Sequence, residues 1–270
     1  MRQYVIELLR HRDLLCWLAA KEIKVRYKLP WLGVLWAFLA PLCLSLILWL
    51  VFTSIMPMPA ARCPFFLLLL TGLLPWNFFA QSVSHATMSV LDAGTLIRST
   101  AFPRALVPLS IVAANLFNFL TALLVMMAVM GLSGFGLGRW IWLLPLAIGA
   151  QVLLTTGLAL IVSGLQVRYR DVKYLTELGL LAWFYVTPII YPLELMARGP
   201  AALRLIGVMN PLVGVVELYR LALFGPIPGP GFVAPAAVFA VTAVGAIGAC
   251  AIGLAIFRRH EPTFADWVAG

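Results

Sequence analysis

Charge is scarce in this chain of 270 residues: 11% are charged, 63% are hydrophobic, and the mean hydropathy is +1.01. An ordinary soluble domain is roughly half apolar and a quarter charged. A soluble fold this apolar would expose patches large enough to aggregate, so the composition excludes that class and points to an integral membrane protein. Other absences narrow the chemistry. No glycine is followed by lysine, so the phosphate-binding pattern G-x-x-x-x-G-K-[ST] is missing, and ATP hydrolysis by that route is not expected. His11, His85 and His260 lie far apart, and Cys16, Cys43, Cys63 and Cys250 are scattered, all without metal-ligand spacing. Asp92 and Glu177 stand at the ends of apolar runs, and the absence of a carboxylate in mid-run argues against proton- or sodium-coupled transport. A membrane enzyme needs clustered acid and base groups, and none clusters here.

What is present in quantity is apolar sequence of spanning length, about 20 residues for a helix. Six stretches qualify: 31–55, 64–89, 106–132, 141–165, 175–191 and 232–257. No small-residue cleavage site follows the first, so it is expected to remain as an anchor. The stretch 203–224 is interrupted by Asn210-Pro211 and carries Glu217 and Arg220. The stretch is long enough for a seventh span, but a proline breaks the helical ladder and a charge in lipid is costly, so two short helices that dip in and return are expected in preference. Fourteen of the 19 Lys and Arg fall on the side of the termini in a six-span arrangement, which predicts cytoplasmic termini. The expected fold is therefore an all-α integral membrane protein, one domain over 1–270. It comprises an interface segment (1–30), six spans (31–257), an outer re-entrant region (192–231) and a cytoplasmic tail (258–270).

Before the first span, Val5, Leu8, Leu9, Cys16, Ala19, Ile23 and Tyr27 fall along one helical stripe, with Glu7, Arg10, Lys21 and Lys28 opposite. This predicts an amphipathic helix in the membrane interface, its basic end formed by Lys21, Lys24, Arg26, Tyr27 and Lys28. The loop "LIRSTAFPRALVP" (96–108) opens with a short helical segment and offers Leu96, Ile97 and Phe102 as apolar knobs beside Arg98, Pro103 and Arg104. Such knobs suit burial by a soluble partner. "PWNFF" (75–79) and "WFYVTPIIYP" (183–192) concentrate Trp76, Phe78, Phe79, Trp183, Phe184, Tyr185 and Tyr191 in two spans. These rings suit either the lining of a sugar passage or helix packing. Trp31, Trp140, Trp142 and Trp267 sit at span ends, as interfacial belts require.

The motifs "IKVRYKLPWLGVLWAFLAPL", "GLLPWNFF", "LIRSTAFPR", "VRYRDVKYL", "WFYVTPIIYP", "NPLVGVVELYR" and "FRRHEPTFADWV", in this order, resemble the membrane subunits of type-2 ABC exporters, in the branch that exports O-antigen, capsule and teichoic acid. The resemblance covers essentially the whole chain. It implies a self-dimer forming one channel, and two copies of a separate ATPase subunit that hold the ATP and Mg, with no cofactor in this chain. It implies that Leu96, Ile97, Arg98, Phe102, Pro103 and Arg104 couple to the ATPase. It also implies that Asn210, Pro211, Glu217, Tyr219 and Arg220 form the outer re-entrant pair, and that a lipid-linked polysaccharide is the cargo. Where Ser99-Thr100-Ala101 stand, the branch often carries a further cation and an aromatic. An exporter of drugs or other lipids, a membrane transferase and a scaffold remain the rival classes.

Overall fold

The computed structural model describes residues 2–26, 36–55, 65–100, 102–132, 139–191, 193, 196, 199–225 and 235–264. Tyr27, Lys28, Trp31, Cys63 and Trp267 lie outside the described residues. All regular structure among the described residues is helical. The helices are α1 (Arg2–Arg10), α2 (Arg12–Arg26), α3 (Trp36–Leu50, continued by a wide turn Val51–Ile55), α4 (Phe65–Asp92), α5 (Gly94–Ser99) and α6 (Leu106–Leu132). They continue with α7 (Leu144–Arg168, entered through a tight turn Ile141–Leu143), α8 (Val172–Val186), α9 (Ala201–Met209), α10 (Pro211–Phe224) and α11 (Pro235–His260).

Among the described residues, four helices are long and apolar enough to cross a membrane: 65–92, 106–132, 141–168 and 238–260. They coincide with the second, third, fourth and sixth expected spans. The first is represented by the shorter apolar helix Leu39–Ser54. The fifth differs. Its helix ends at Val186, because Thr187 precedes Pro188 and takes extended backbone, as residues before proline do. The interface segment also differs, being two helices that meet at His11. This break rotates the packed face: Tyr4, Leu18 and Ala19 are buried, while Leu9 and Cys16, expected on the inner stripe, are exposed.

Helix packing in a bilayer gains little from apolar burial and depends on close approach and hydrogen bonds. Both operate here. The tightest pair is α7 with α11. A Cβ on Gly157 would collide with the backbone of Ala249 and Cys250, and one on Gly253 would collide with Gly157. Small residues at this crossing therefore set the approach. In the core, Gln151 donates Nε2 to the Pro75 carbonyl of α4 at 2.7 Å and accepts from the Tyr219 hydroxyl of α10 at 2.6 Å. One amide thus ties three helices beside the proline in α4.

α10 is buried almost along its whole length. It begins against the middle of α11, where Pro211 leaves no room for a Cβ on Gly245, and Thr242 donates to the Pro211 carbonyl at 3.1 Å. It ends at Gly225 beside Trp140, which precedes α7. The helix therefore runs from beside Thr242 and Gly245 of α11 to the turn that enters α7.

Candidate functional site

The start of α1, the segment 261–264 after α11 and the loop after α4 gather at one end of the bundle. There Tyr4, Val90, Ile97, Ala105, Leu160, Val167, Phe257 and Phe264 form one apolar cluster, and the rings of Phe257 and Phe264 meet edge-to-face at 5.1 Å. Above this floor opens a cleft of about 600 Å3, lined by α1, the 97–104 loop and Glu261. Glu261 is its hub. Its Oε2 accepts from the Tyr4 hydroxyl at 2.7 Å, and its Oε1 from the Arg104 backbone N–H at 2.6 Å. The Arg104 guanidinium donates to the Glu261 carbonyl, and Arg258 lies 5.8 Å from the centre of the Tyr4 ring. Burial, and then the carboxylate it bonds to, push the Tyr4 phenol above its ordinary pKa, so it stays a donor.

This arrangement sorts the expected loop residues. α5 is the short helix predicted at the loop's start. Ile97, expected to project, is 5% exposed and belongs to the floor, because the helix turns it toward Tyr4 and Phe264. Pro103 is also buried, Leu96 and Phe102 are half-buried, and Arg98, Ser99 and Thr100 face outward. Arg104 is spent on the chain's own C-terminal segment. Lys21 and Lys24 are exposed on α2. Arg26 is not directed outward: its Nη1 donates to Asn115 Oδ1 at 2.6 Å, and Nη2 lies 3.2 Å from His85 Nδ1.

The aromatic residues divide as well. Trp76, Phe78 and Phe79 are buried, Phe78 stacking on Phe119 at 5.3 Å and Phe79 meeting Trp183 edge-to-face at 5.4 Å. Within one chain these rings pack helices together. Trp183 and Phe184 are half-buried, and Tyr185 is 65% exposed. The Tyr191 hydroxyl donates to the Tyr185 carbonyl at 3.1 Å.

Two motifs far apart in sequence meet in one polar knot. Asn210 caps α10: its Oδ1 accepts from Leu212 N–H at 3.0 Å and from Trp183 Nε1 at 2.9 Å, while its Nδ2 donates to Thr187 Oγ1 at 3.0 Å. Arg220, only 2% exposed, donates to Glu217 at 2.8 Å and to the carbonyls of Pro188 and Ile189 at 2.9 and 3.3 Å. These carbonyls lie just past the end of α8, and a buried guanidinium is a suitable donor for them. Together these bonds brace the bend 187–191 against α10. Among the described residues no group of three His, Cys, Asp or Glu is placed to hold a metal.

Sequence reasoning singled out neither Tyr4, Glu261, Gln151 nor Asn115. Each is a lone polar residue whose partner is dozens to hundreds of positions away. For Gln151 and Asn115 the signal available was a polar side chain within an otherwise apolar run, and Glu261 stood in the motif "FRRHEPTFADWV" without a role assigned to it.

The profile of the family described as ABC-2 type transporter matches residues 13–224. The chain belongs to that family. Among ABC-2 type relatives, it is similar to an O-antigen export system permease protein of Myxococcus xanthus, 32% identical over 228 residues that make up 83% of this chain and 85% of that protein. A permease protein of the same description from Klebsiella pneumoniae is 29% identical over 255 residues, 94% of each chain. A polysialic acid transport protein of Escherichia coli is 27% identical over 249 residues, 89% of this chain and 91% of the relative. The ABC-2 type match contains α2, the 94–104 loop and the 183–220 knot, whereas Tyr4 and Glu261 lie beyond its two ends.

Proposed function

We propose that this chain is the membrane-spanning subunit of an ATP-driven exporter, which moves a lipid-linked polysaccharide of O-antigen or related type from the cytoplasm across the cytoplasmic membrane. The observation that carries this reading is the likeness along 94% of the chain to a protein named an O-antigen export permease. Likeness to a polysialic acid transport protein over 89% of the chain supports a glycan as the cargo class.

In this reading two copies of the chain form the passage, and two copies of a soluble ATPase bind the end of the bundle that carries the start of α1 and the segment 261–264. ATP and Mg belong to that partner, and this chain performs no covalent chemistry. The cleft beside α1 and the 97–104 loop receives the ATPase, with Arg98 and Phe102 at the contact and Arg104 passing movement to the C-terminal segment. Lys21 and Lys24 hold α2 against anionic headgroups. The basic residues gathered at the same end support cytoplasmic termini. The finer architecture is six spans, with α3 and α8 completing the four long helices, and α9 with α10 as a re-entrant pair between the last two. The start of α10 against the middle of α11 and its end beside Trp140 support that path. Tyr185 and Tyr191, the rings least engaged in packing, are the aromatic residues assigned to the passage.

The test is purification of the tagged chain in mild detergent, with an ATPase assay and mass spectrometry of what accompanies it. An ATP-binding-cassette subunit carrying the ATPase activity, together with lipid-linked sugar, is the expected result. A folded chain that purifies alone removes the motor from this reading. Co-purifying drug-like lipids without sugar would move the cargo assignment to the rival exporter class.

A further inference from the structure

Midway along α4 the helix shows an open polar stripe, whose last member, His85, meets Arg26 of α2. Asn77 is half-buried, and Gln81 and His85 are exposed, one residue per turn and about 6 Å apart along the axis. Gln81 lies roughly 16 Å along the axis from Asp92, well within a hydrocarbon layer about 30 Å thick. An amide facing lipid at that depth has no hydrogen-bond partner and is costly, so such a face belongs on a polar passage or a protein contact.

Beside the stripe, α4 and α6 enclose a hollow of about 30 Å3 walled by Asn77, Gln81, Asn115, Asn118 and the rings of Phe78 and Phe119. Its volume matches about one water molecule or one hydroxyl group. Asn115 is 2% exposed. Its Oδ1 is identified by the bond from Arg26, since a guanidinium only donates. That leaves Nδ2 buried without an acceptor among the described residues. An unmatched buried donor costs about 1–3 kcal/mol, so the site suits an acceptor from outside the described residues. Among the described residues no carboxylate borders the hollow, and the Arg26 guanidinium beside it is already engaged by Asn115 and His85. Uncharged amides that both donate and accept fit a neutral hydroxyl.

We propose that the Asn77–Gln81–Asn115 notch is a hydroxyl subsite on the export path, where a passing polysaccharide seats one sugar hydroxyl against Asn115 Nδ2 while Asn77 and Gln81 bond its neighbours. This deepens the exporter reading and rests on it. One-hydroxyl contacts repeated along α4 hold a polyhydroxylated chain weakly at every register, which is what a sliding cargo requires.

The test uses the assembled exporter in cells that are exporting glycan, with Gln81→p-benzoylphenylalanine and, as control, Leu124→p-benzoylphenylalanine on an exposed apolar position of α6. Illumination is expected to attach glycan at position 81 and not at 124. Attachment at 81 to a second copy of this chain, or to lipid alone, overturns the proposal and makes the stripe a helix contact. Asn115→Asp gives a second readout, because it keeps the acceptor for Arg26 and removes the free donor. A roughly fivefold fall in export rate, with unchanged co-purification of the ATPase, is expected for one lost hydrogen bond. Unchanged export means that Asn115 serves only Arg26, which overturns the proposal. Export by the unsubstituted assembly is measured in parallel. If it exports no glycan, the functional reading falls and this inference with it. If it exports glycan but neither substitution responds, this inference alone falls.

Discussion

Glu261 holds Tyr4 and the Arg104 backbone through one carboxylate, so its removal strands a phenol and an amide together. Hydrogen bonds to a charged group contribute about 1.5–3 kcal/mol, and Glu261→Ala is expected to destabilise the protein by an amount in that range. Tyr4→Phe removes one of these bonds and should cost about 1.5 kcal/mol, the low end of that range. Thermal unfolding of the purified protein, followed by tryptophan fluorescence, checks both. Equal midpoints for all three proteins would mean that the contact is too solvated to matter. The same scale shows what a sequence can and cannot convey. Asn210 was legible as a break, because Asn210-Pro211 interrupts an apolar stretch, but its capping of α10 was not read from it. Glu261 and Asn115 were not, since nothing local says that a lone polar residue will meet a partner 157 or 89 positions away. The aromatic residues were legible as a group but not individually. Composition says that rings are present, while burial of Phe79 against Trp183 depends on which helices become neighbours.

At the scale of helices, the α7–α11 crossing is set by backbone approach at Gly157 and Gly253. Gly157→Leu forces the pair apart, and overpacking of this kind costs about 1–3 kcal/mol. Gly149→Ala, on the same helix but with open space around it, is expected to be neutral or slightly stabilising. Comparing the two by heat-induced aggregation in detergent separates a packing role from a general dislike of side chains on α7. Asn210→Ala should cost about 0.5–2 kcal/mol as a lost cap, and it also releases Trp183. A red-shifted tryptophan emission accompanying the loss of stability is the expected sign. Long apolar runs made four helices readable to within about three residues at either end. The early end of the fifth follows from Thr187-Pro188 and could have been read from the residue-before-proline rule. The division of the N-terminal segment at His11 could not, because neither glycine nor proline marks it and tertiary packing of Tyr4 and Leu18 decides it.

Across the whole molecule, the end that holds the start of α1 and the segment 261–264 is a connected device. The 94–104 loop joins α4 to α6, Arg104 grips the segment after α11, and that segment holds α1 through Tyr4. A push on the loop therefore reaches four helices. Arg104→Glu sets a carboxylate beside Glu261 and loses the bond to its carbonyl, so export should fail while membrane insertion persists. Phe102→Ala leaves that network intact and should weaken coupling to the ATPase with little loss of stability. Glycan export scored beside the amount of membrane-inserted protein checks both variants. Export class and helical architecture were legible because the motifs run in order over the whole chain. The internal wiring was not, because it is made of single contacts between distant segments.

Reconstitution tests the central claim most directly. The chain and its ATP-binding-cassette partner are placed in proteoliposomes with lipid-linked polysaccharide, and the sugar that becomes inaccessible to an external glycan-degrading enzyme is measured with and without ATP. Movement of glycan that requires ATP and both subunits, and that is lost with Arg104→Glu, is the predicted result. Glycan that stays accessible while the partner hydrolyses ATP on a fully assembled complex would contradict the account.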